Sequence, residues 1–414
     1  MNPGGAMQAA RLECVQCGAT YGGQEDRLSC EECGDGIRVV VDMQTLSYDN
    51  LRARWRERPF RLWRYRELLP VTGEEVTLDE GGTGLLRVNL LGSLGEEFEL
   101  HVKNEGQNPT GSFKDRGMTV GVTRAKNLGR TRVICASTGN TSASLAAYAS
   151  RAGMEAIVLV PSGGVAKGKL AQALFNGARV VALDGTFDDA MGVVLDVAEA
   201  TNAYVLNSIN PYRLEGQKTA AFELFDQLGG HVPDWVVCPV GNGGNLAAYW
   251  KGFEELFGIG ATGRLPRLIG VQADGASPIA DAVMAGEDEI TPVKEPKTVA
   301  SAIRIGNPAN WRKTMKALRE SDGLALKVPD SEILDAQSLL AREEGLFVEP
   351  ASAASIAGVI RLAREGLFRS GERVVCVCTG HGLKDPDSAM RSFPDVEPVD
   401  ATVEAIVRAI EGGP

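Results

Sequence analysis

Positive charge is scarce in this chain of 414 residues. Lysine and arginine total 43 against 54 aspartates and glutamates, for a formal net charge of −11 and an isoelectric point near 5.1. Such a balance argues against a nucleic-acid-binding or anionic-membrane surface. Long apolar runs are missing too: none reaches the roughly 18–20 residues a membrane helix needs. The first residues, MNPGGAMQAARLEC, hold no basic segment followed by an apolar core, so no secretory signal is read and the cytoplasm is the expected compartment. There is no internal repeat and no low-complexity stretch. What remains is a chain with a 44% hydrophobic share, enough for two or three well-filled domains.

Cysteine is used in two ways. Cys135, Cys238, Cys376 and Cys378 lie in apolar runs that read as strands, where buried reduced thiols are expected rather than disulfides. The other four form two CxxC knuckles, Cys14-Val-Gln-Cys17 and Cys30-Glu-Glu-Cys33, each followed by glycine. This spacing can present four thiolates in a tetrahedron, and a structural zinc is the expectation. A disulfide pair or a decayed site is the alternative. Four cysteines leave no open position for water, and so short a segment needs a staple to fold. Residues 47–70, rich in Arg and Trp, are read as an amphipathic connector lying on the main body rather than a nucleic-acid arm. Trp55, Trp63 and Tyr65 are its packing side chains.

From about residue 97 apolar β-branched runs alternate with helical patterns. Strands are expected at 98–103, 131–136, 155–160, 178–183, 203–206, 235–240, 267–273 and 373–378. Helical segments include 142–152, 164–176, 212–228, 244–257, 330–344 and 352–365, with a terminal helix over 398–411. Continuous apolar strands joined by helices indicate an α/β fold with parallel sheets covered on both faces.

Four segments carry chemistry. In Asn108-Pro-Thr-Gly-Ser-Phe-Lys-Asp-Arg-Gly117, Lys114 stands just inside a helix start, where the positive helix end should lower its pKa and favour Schiff-base formation. Cys135-Ala-Ser-Thr-Gly-Asn-Thr-Ser142 follows a strand and opens a helix. Its Ser137, Thr138, Asn140 and Thr141 suit a carboxylate or phosphate, or simply cap the helix. Pro239-Val-Gly-Asn-Gly-Gly-Asn245 also joins a strand to a helix, and its glycines let the backbone wrap an anion. It matches neither GxGxxG nor the Walker pattern, so a phosphate ester is indicated and a dinucleotide or ATP is not. The last, Cys378-Thr-Gly-His-Gly-Leu-Lys-Asp385, offers the Thr379 hydroxyl to a ring nitrogen. His381, one of three histidines, is read as structural or as supporting a neighbouring site group rather than as a general base; His101 and His231 have no partner pattern.

One cofactor needs all four parts at once: pyridoxal phosphate, with a lysine for its aldehyde, a cradle for its phosphate and partners for its ring. With NSINPYRLEGQKT at 207–219, AIRIGNPANW at 302–311 and FVEPASAAS at 347–355, the chain closely resembles the threonine synthase family of fold-type-II pyridoxal-phosphate enzymes from about Trp63 to Asp385. The resemblance implies two doubly wound parallel or mixed-sheet domains of the tryptophan synthase β kind. They would be a large cofactor-binding domain over 46–103 and 206–414 and a small one over 104–205, behind a zinc-ribbon-like segment over 1–45. It implies that Lys114 holds the cofactor covalently and that Asn140 bonds its ring hydroxyl. Gly241, Asn242, Gly243, Gly244 and Asn245 would grip its phosphate, and Thr379 would face its ring nitrogen. Ser137, Thr138, Thr141, Asn207, Ser208 and Arg213 would meet the substrate, Arg213 gripping a phosphate with two hydrogen bonds. Pairing of Arg213 with Glu215 is the bland alternative.

The implied reaction converts O-phospho-L-homoserine and water to L-threonine and phosphate, in a cytoplasmic homodimer with no nucleic-acid or membrane partner. Two other activities stay open: β-replacement on O-phosphoserine, as in cysteate synthase, and threonine or serine dehydration. So does a zinc-ribbon binding module on a silent enzyme-like body. One departure stands out. Gly81-Gly-Thr-Gly-Leu-Leu86 lacks the Thr-Pro pair usual at this place in the family, which should loosen the loop.

Overall fold

The computed structural model describes residues 10–90, 98–162, 167–185, 187–386 and 397–411. Three short strands come first: Ala10–Cys14 (β1), Thr20–Gly22 (β2) and Ile37–Val41 (β3), followed by helix Tyr48–Glu57 (α1). Then come Leu85–Arg87 (β4), Glu99–Asn104 (β5), Lys114–Asn127 (α2), Arg132–Ala136 (β6), Asn140–Ala152 (α3), Glu155–Pro161 (β7), Lys167–Phe175 (α4), Arg179–Leu183 (β8), Phe187–Thr201 (α5) and Tyr204–Val205 (β9). The remainder runs Pro211–Gln217 (α6), Thr219–Gln227 (α7), Trp235–Pro239 (β10), Gly244–Gly258 (α8), Arg267–Ala273 (β11), Pro278–Ala285 (α9), Trp311–Glu320 (α10), Leu324–Val328 (β12), Asp330–Glu344 (α11), Pro350–Arg364 (α12) and Arg373–Cys378 (β13), with a final helix at Val403–Glu411.

These build three sheets. A six-stranded one has the order β12-β11-β10-β13-β5-β4, parallel except for the antiparallel edge strand β4. A four-stranded one, β8-β7-β6-β9, is wholly parallel. The ribbon is an antiparallel sheet, β2-β1-β3. Strands such as Val133–Ala136 and Trp235–Pro239 are buried on both faces, as parallel strands under helices must be, so they read as continuous apolar runs. One apolar cluster covers each face of the large sheet, and two more sandwich the small one. A fifth joins Leu12, Ile37 and Val39 of the ribbon to Leu62, Trp63, Val120 and Tyr212 of the body.

Every strand expected from the pattern is present, within a residue or so at its ends. The expected helix over 212–228 is instead two, α6 and α7. The Thr219 hydroxyl takes the Gly216 carbonyl at 2.6 Å, and the Ala221 N–H takes that of Lys218 at 3.0 Å, so the backbone ladder changes register there. Residues 164–166 of the expected helix over 164–176 lie outside the described residues. The Arg- and Trp-rich connector does pack on the body: Trp55, Trp63 and Tyr65 are buried, and Arg58 and Arg64 pair with Glu67 and Asp226.

A buried ionic lattice sets the position of α2. The Arg116 guanidinium grips Glu105 with two hydrogen bonds (2.6 and 2.7 Å) and Glu223 with two more (2.6 and 2.7 Å). Lys103 adds a 2.7 Å bond to Glu223 and a 2.8 Å bond to the Thr83 carbonyl. Burial works against the Glu223 charge, yet Arg116 and Lys103 hold its pKa down to about 2. Against this lattice the loop lacking proline is tied down, not slack. Gly81 N–H bonds Asn108 at 3.0 Å, Gly82 N–H bonds Glu223 at 2.8 Å, and the Thr83 hydroxyl bonds Glu105 at 2.7 Å. The backbone of α6 approaches α2 so closely that a Cβ at Gly216 would sit 1.7 Å from the Arg116 carbonyl oxygen, so only glycine fits.

Replacing Arg116 with Met leaves Glu105 buried without its ion-pair partner and Glu223 with Lys103 alone. The expected cost is about 3–5 kcal/mol of stability, read as a lower urea midpoint. A midpoint equal to that of the parent protein would show that the lattice does not hold α2.

Candidate active site

The strand-to-helix turns of both parallel sheets open onto one cleft with about 630 Å³ of empty space. Lys114 opens α2 and Asn140 opens α3. Gly241, Asn242 and Gly243 lead into α8, which begins with Gly244 and Asn245. Arg213 lies on α6, Ser208 just before it, and Thr379 follows β13. Helix N-termini carry partial positive charge and unpaired N–H donors, so their convergence makes the cleft a place for an anion. At Gly243, with φ +80°, a Cβ would lie 2.1 Å from the Thr314 hydroxyl, so the turn admits only glycine.

Lys114 is buried, with its ammonium 4.0 Å from the centre of the Phe113 ring. Burial, then the charge of Arg213, brings its pKa down to about 7, against a smaller pull from Glu349. The direction matches the expectation from the helix start, but the main cause is desolvation. Arg213 is 1% exposed, and burial lowers even its pKa to about 10. It donates one hydrogen bond, at 3.1 Å to the Leu206 carbonyl, and its Nε has no partner. Glu215, the alternative partner, is taken by Lys218 and Lys251. Among the described residues Arg213 is thus a buried cation facing the cleft without a carboxylate.

Not every expected residue lines the cleft. Ser137, Thr138 and Thr141 sit in the turn before α3 and its first residues, outside the lining, and the Ser137 hydroxyl accepts from Gly139 N–H at 3.2 Å. Asn207 is also off the wall. Its amide donates to the Ala136 carbonyl at 3.0 Å and accepts from the Ala136 N–H at 3.1 Å, pinning the end of β6 to the segment that carries Ser208. His381 is structural: its Nδ1 accepts from Leu383 N–H at 3.1 Å, and its ring meets Phe347 edge-on.

Two polar lining residues were not picked out from the sequence. Glu349, at the cap of α12, is 3% exposed and receives the Asn140 amide on both oxygens, at 3.2 and 3.0 Å. Burial pushes its pKa up, and Asn140 and Lys114 pull the other way. Gln217, at the end of α6, has a buried Oε1 without a partner. An acid before a proline at a helix start looks like an ordinary cap, and a glutamine on a helix has no distinguishing pattern. Only the fold brings them to Lys114.

The ribbon cysteines also converge. Their four sulfurs lie within 4.8 Å of one another, at 3.5 Å for Cys14–Cys33, 3.5 Å for Cys17–Cys30 and 3.6 Å for Cys17–Cys33. Four thiolates about 2.3 Å from a tetrahedral zinc stand roughly 3.8 Å apart, whereas a disulfide needs about 2.05 Å. All eight cysteines are free thiols, and the ribbon sulfurs stand at ligand spacing rather than at bonding distance.

Comparison with known proteins agrees with this geometry. The profile of the family described as pyridoxal-phosphate dependent enzyme matches residues 76–380, and the chain belongs to that family. The threonine synthase of Methanocaldococcus jannaschii is 52% identical over 400 residues, covering 96% of this chain and 98% of its own length. That of Methanosarcina acetivorans is 50% identical over 401 residues, covering 97% and 98%. Within the larger family, then, the chain is placed among the threonine synthases. Solved structures share the fold at greater distance. A fungal L-serine ammonia-lyase from Rhizomucor miehei superposes with a TM-score of 0.66 at 23% identity, over 78% of this chain and all of its own. A serine racemase from maize gives 0.64 at 20%, over 81% and 94%.

The cleft fits pyridoxal phosphate on its own evidence. It has a lysine with a depressed pKa, a glycine cradle at a helix start, and unpartnered buried atoms at Arg213 Nε, Gln217 Oε1 and Asn245 Nδ2. In protein freed of cofactor, Lys114 should therefore capture an aldehyde with a rate that rises through about pH 7, not pH 10. Substituting Arg213 by Met removes a repelling cation, so the midpoint should move to higher pH. An unshifted midpoint would mean Arg213 does not act on the amine.

Proposed function

We propose that this enzyme converts O-phospho-L-homoserine and water to L-threonine and inorganic phosphate. The observation that carries the reading is Arg213: a buried guanidinium with no carboxylate partner, in the same cleft as Lys114. Burying an unpaired charge is costly, so a site that keeps one is built for a ligand of opposite sign. The glycine turn supplies a second place for an anion, at the start of α8. Two anion sites beside one amine suit a phosphorylated cofactor and a phosphorylated substrate. A dehydratase needs only the first.

When bound, pyridoxal phosphate supplies an aldehyde for Lys114 and a conjugated ring that draws electron density from the substrate's Cα. Gly241 to Asn245 would hold its phosphate, Asn140 its ring hydroxyl, and Thr379 its ring nitrogen. A hydroxyl need not protonate that nitrogen, so the ring would be a milder electron sink there. Arg213, with Ser208, would grip the substrate phosphate, and Ser137, Thr138 and Thr141 would meet the carboxylate from the start of α3. Fixing both substrate ends keeps Cα, Cβ and Cγ in register with one base. That base is Lys114. With a pKa near 7 it takes the Cα proton at neutral pH and holds it close enough to return it. Asn207 would act indirectly, by holding Ser208 against the end of β6. The same reading carries a cytoplasmic homodimer and a division into ribbon, large domain (46–103 and 206–414) and small domain (104–205).

We also infer a structural zinc on Cys14, Cys17, Cys30 and Cys33, supported by the sulfur spacing and a closed set of four thiolates. Purified protein should carry about one zinc per chain, and Cys17→Ser should remove it. Metal analysis that finds none in freshly purified, reduced protein would end this assignment.

Turnover should release phosphate from O-phosphohomoserine and form threonine. Arg213→Ala should raise KM by a hundred-fold or so, the scale of a lost charged hydrogen-bond pair, while the visible cofactor band persists. Loss of bound cofactor in that variant would reassign Arg213. Turnover of O-phosphoserine with sulfite instead would move the enzyme to the cysteate synthase type, and a ketoacid from unphosphorylated threonine would make it a dehydratase.

A further inference from the structure

The ribbon touches the body on the helices that carry the cleft. Tyr212 on α6 donates to the Gly23 carbonyl at 2.7 Å, Lys251 on α8 to the Val39 carbonyl at 2.6 Å, and Arg312 on α10 to Asp35 at 2.6 Å. One contact continues inward. The Lys313 ammonium donates to the Ile37 carbonyl, at the start of β3, at 2.9 Å, and to the Asn310 side-chain oxygen at 3.2 Å. An amide whose oxygen is claimed by an ammonium must present its NH2 elsewhere. Here the Asn310 NH2 donates to the Ser208 carbonyl at 3.0 Å.

The backbone of Asn310 holds the other anion loop. Its N–H donates to the Asn242 carbonyl at 3.0 Å, and its own carbonyl receives the Thr314 hydroxyl at 3.0 Å. That hydroxyl also lies 3.0 Å from the Gly243 carbonyl. Asn310 is 2% exposed and Thr314 is 0% exposed, so water does not compete for these bonds. A single residue thus spans Ser208 on one side and Asn242 on the other, and its amide is oriented from the ribbon side.

We propose that Lys313 is a positioning residue that transmits the placement of the four-cysteine ribbon, through Asn310, to both anion-binding loops of the cleft. The ribbon is then part of what sets phosphate affinity, beyond stapling the N-terminal segment. The inference rests on the proposed function in calling the Ser208 loop the substrate's and the Asn242 loop the cofactor phosphate's. The link itself is a chain of bonds.

The test uses the whole chain with Lys313→Met, which keeps the stem and removes the ammonium. Protein freed of cofactor is titrated with pyridoxal phosphate and, separately, with pyridoxal, which lacks the phosphate. Affinity for pyridoxal phosphate should fall on the order of ten-fold, the scale of losing a charged hydrogen bond, with pyridoxal unchanged. Inorganic phosphate should also become a weaker competitor of substrate, and KM should rise more than kcat falls. Lys316→Met, on the same helix but paired at the surface with Glu320, should leave all of these at parent values.

If Lys313→Met does not fold, Lys313→Gln, neutral but polar, carries the same measurements. A folded variant with parental pyridoxal phosphate and phosphate affinities, even one with a lower melting temperature, overturns the proposal. So does an equal loss of pyridoxal affinity, which would mean a general collapse of the cleft. Parent protein that binds cofactor but releases no phosphate from O-phosphohomoserine would sink the threonine reading alone, because the cofactor titrations do not depend on the substrate.

Discussion

The rest of the molecule is arranged around one electrostatic imbalance. Helices α2, α3 and α8 aim their positive ends at a single cleft, and Arg213 adds a full charge there with no carboxylate among the described residues paired to it. In a low-dielectric interior such a concentration of like charge is unfavourable until an anion arrives. The topology makes this unavoidable. In parallel sheets every strand-to-helix turn falls at the same edge, so two such sheets facing each other bring their helix starts together.

Two neighbouring groups of cations are instead matched by carboxylates. Lys103 and Arg116 meet Glu105 and Glu223; Lys218 and Lys251 meet Glu215 and Glu255. These closed networks flank the open one. Arg116 lies two residues beyond Lys114 on α2, and Glu215 lies two beyond Arg213 on α6, so the paired charges fix the helices from which the active groups project. A buried pair contributes little net stability by itself, but breaking it strands a charge, which makes each helix position hard to change. Rigidity is thus placed next to the groups whose spacing the chemistry needs.

Much of this was legible in the sequence. The parallel strands showed as apolar runs because both their faces are covered, and the glycine turn before α8 showed because Gly243 has no room for a side chain. The four-cysteine spacing was equally plain. What stayed hidden depends on tertiary contact. Glu349 resembled a helix cap until Asn140, over 200 positions away, was seen to meet it. Asn207 belonged to the right segment, but its amide is spent on the strand beside it. The loop at Gly81 to Thr83 looked slack without proline because its anchors, Glu223 and Asn108, are remote in the chain. Lys114 was expected to owe its low pKa to the helix start, whereas burial contributes more, and burial is a property of the whole fold.

Under the proposed reaction, burial would also let one lysine serve both as attachment point and as base. It pushes Lys114 down and Glu349 up, so both groups tend to neutrality in the closed cleft. Arg213 adds to the effect on Lys114, because two cations in one pocket disfavour each other. An anion that settles against Arg213 cancels that repulsion and raises the basicity of the amine. Under the proposed reaction the substrate's phosphate therefore strengthens Lys114 as a base while the bond at Cγ is intact. Once phosphate has left the pocket the repulsion returns, and the lysine gives its proton back more readily. Under that reaction the unpaired arginine would both bind the substrate and time the proton that the lysine carries.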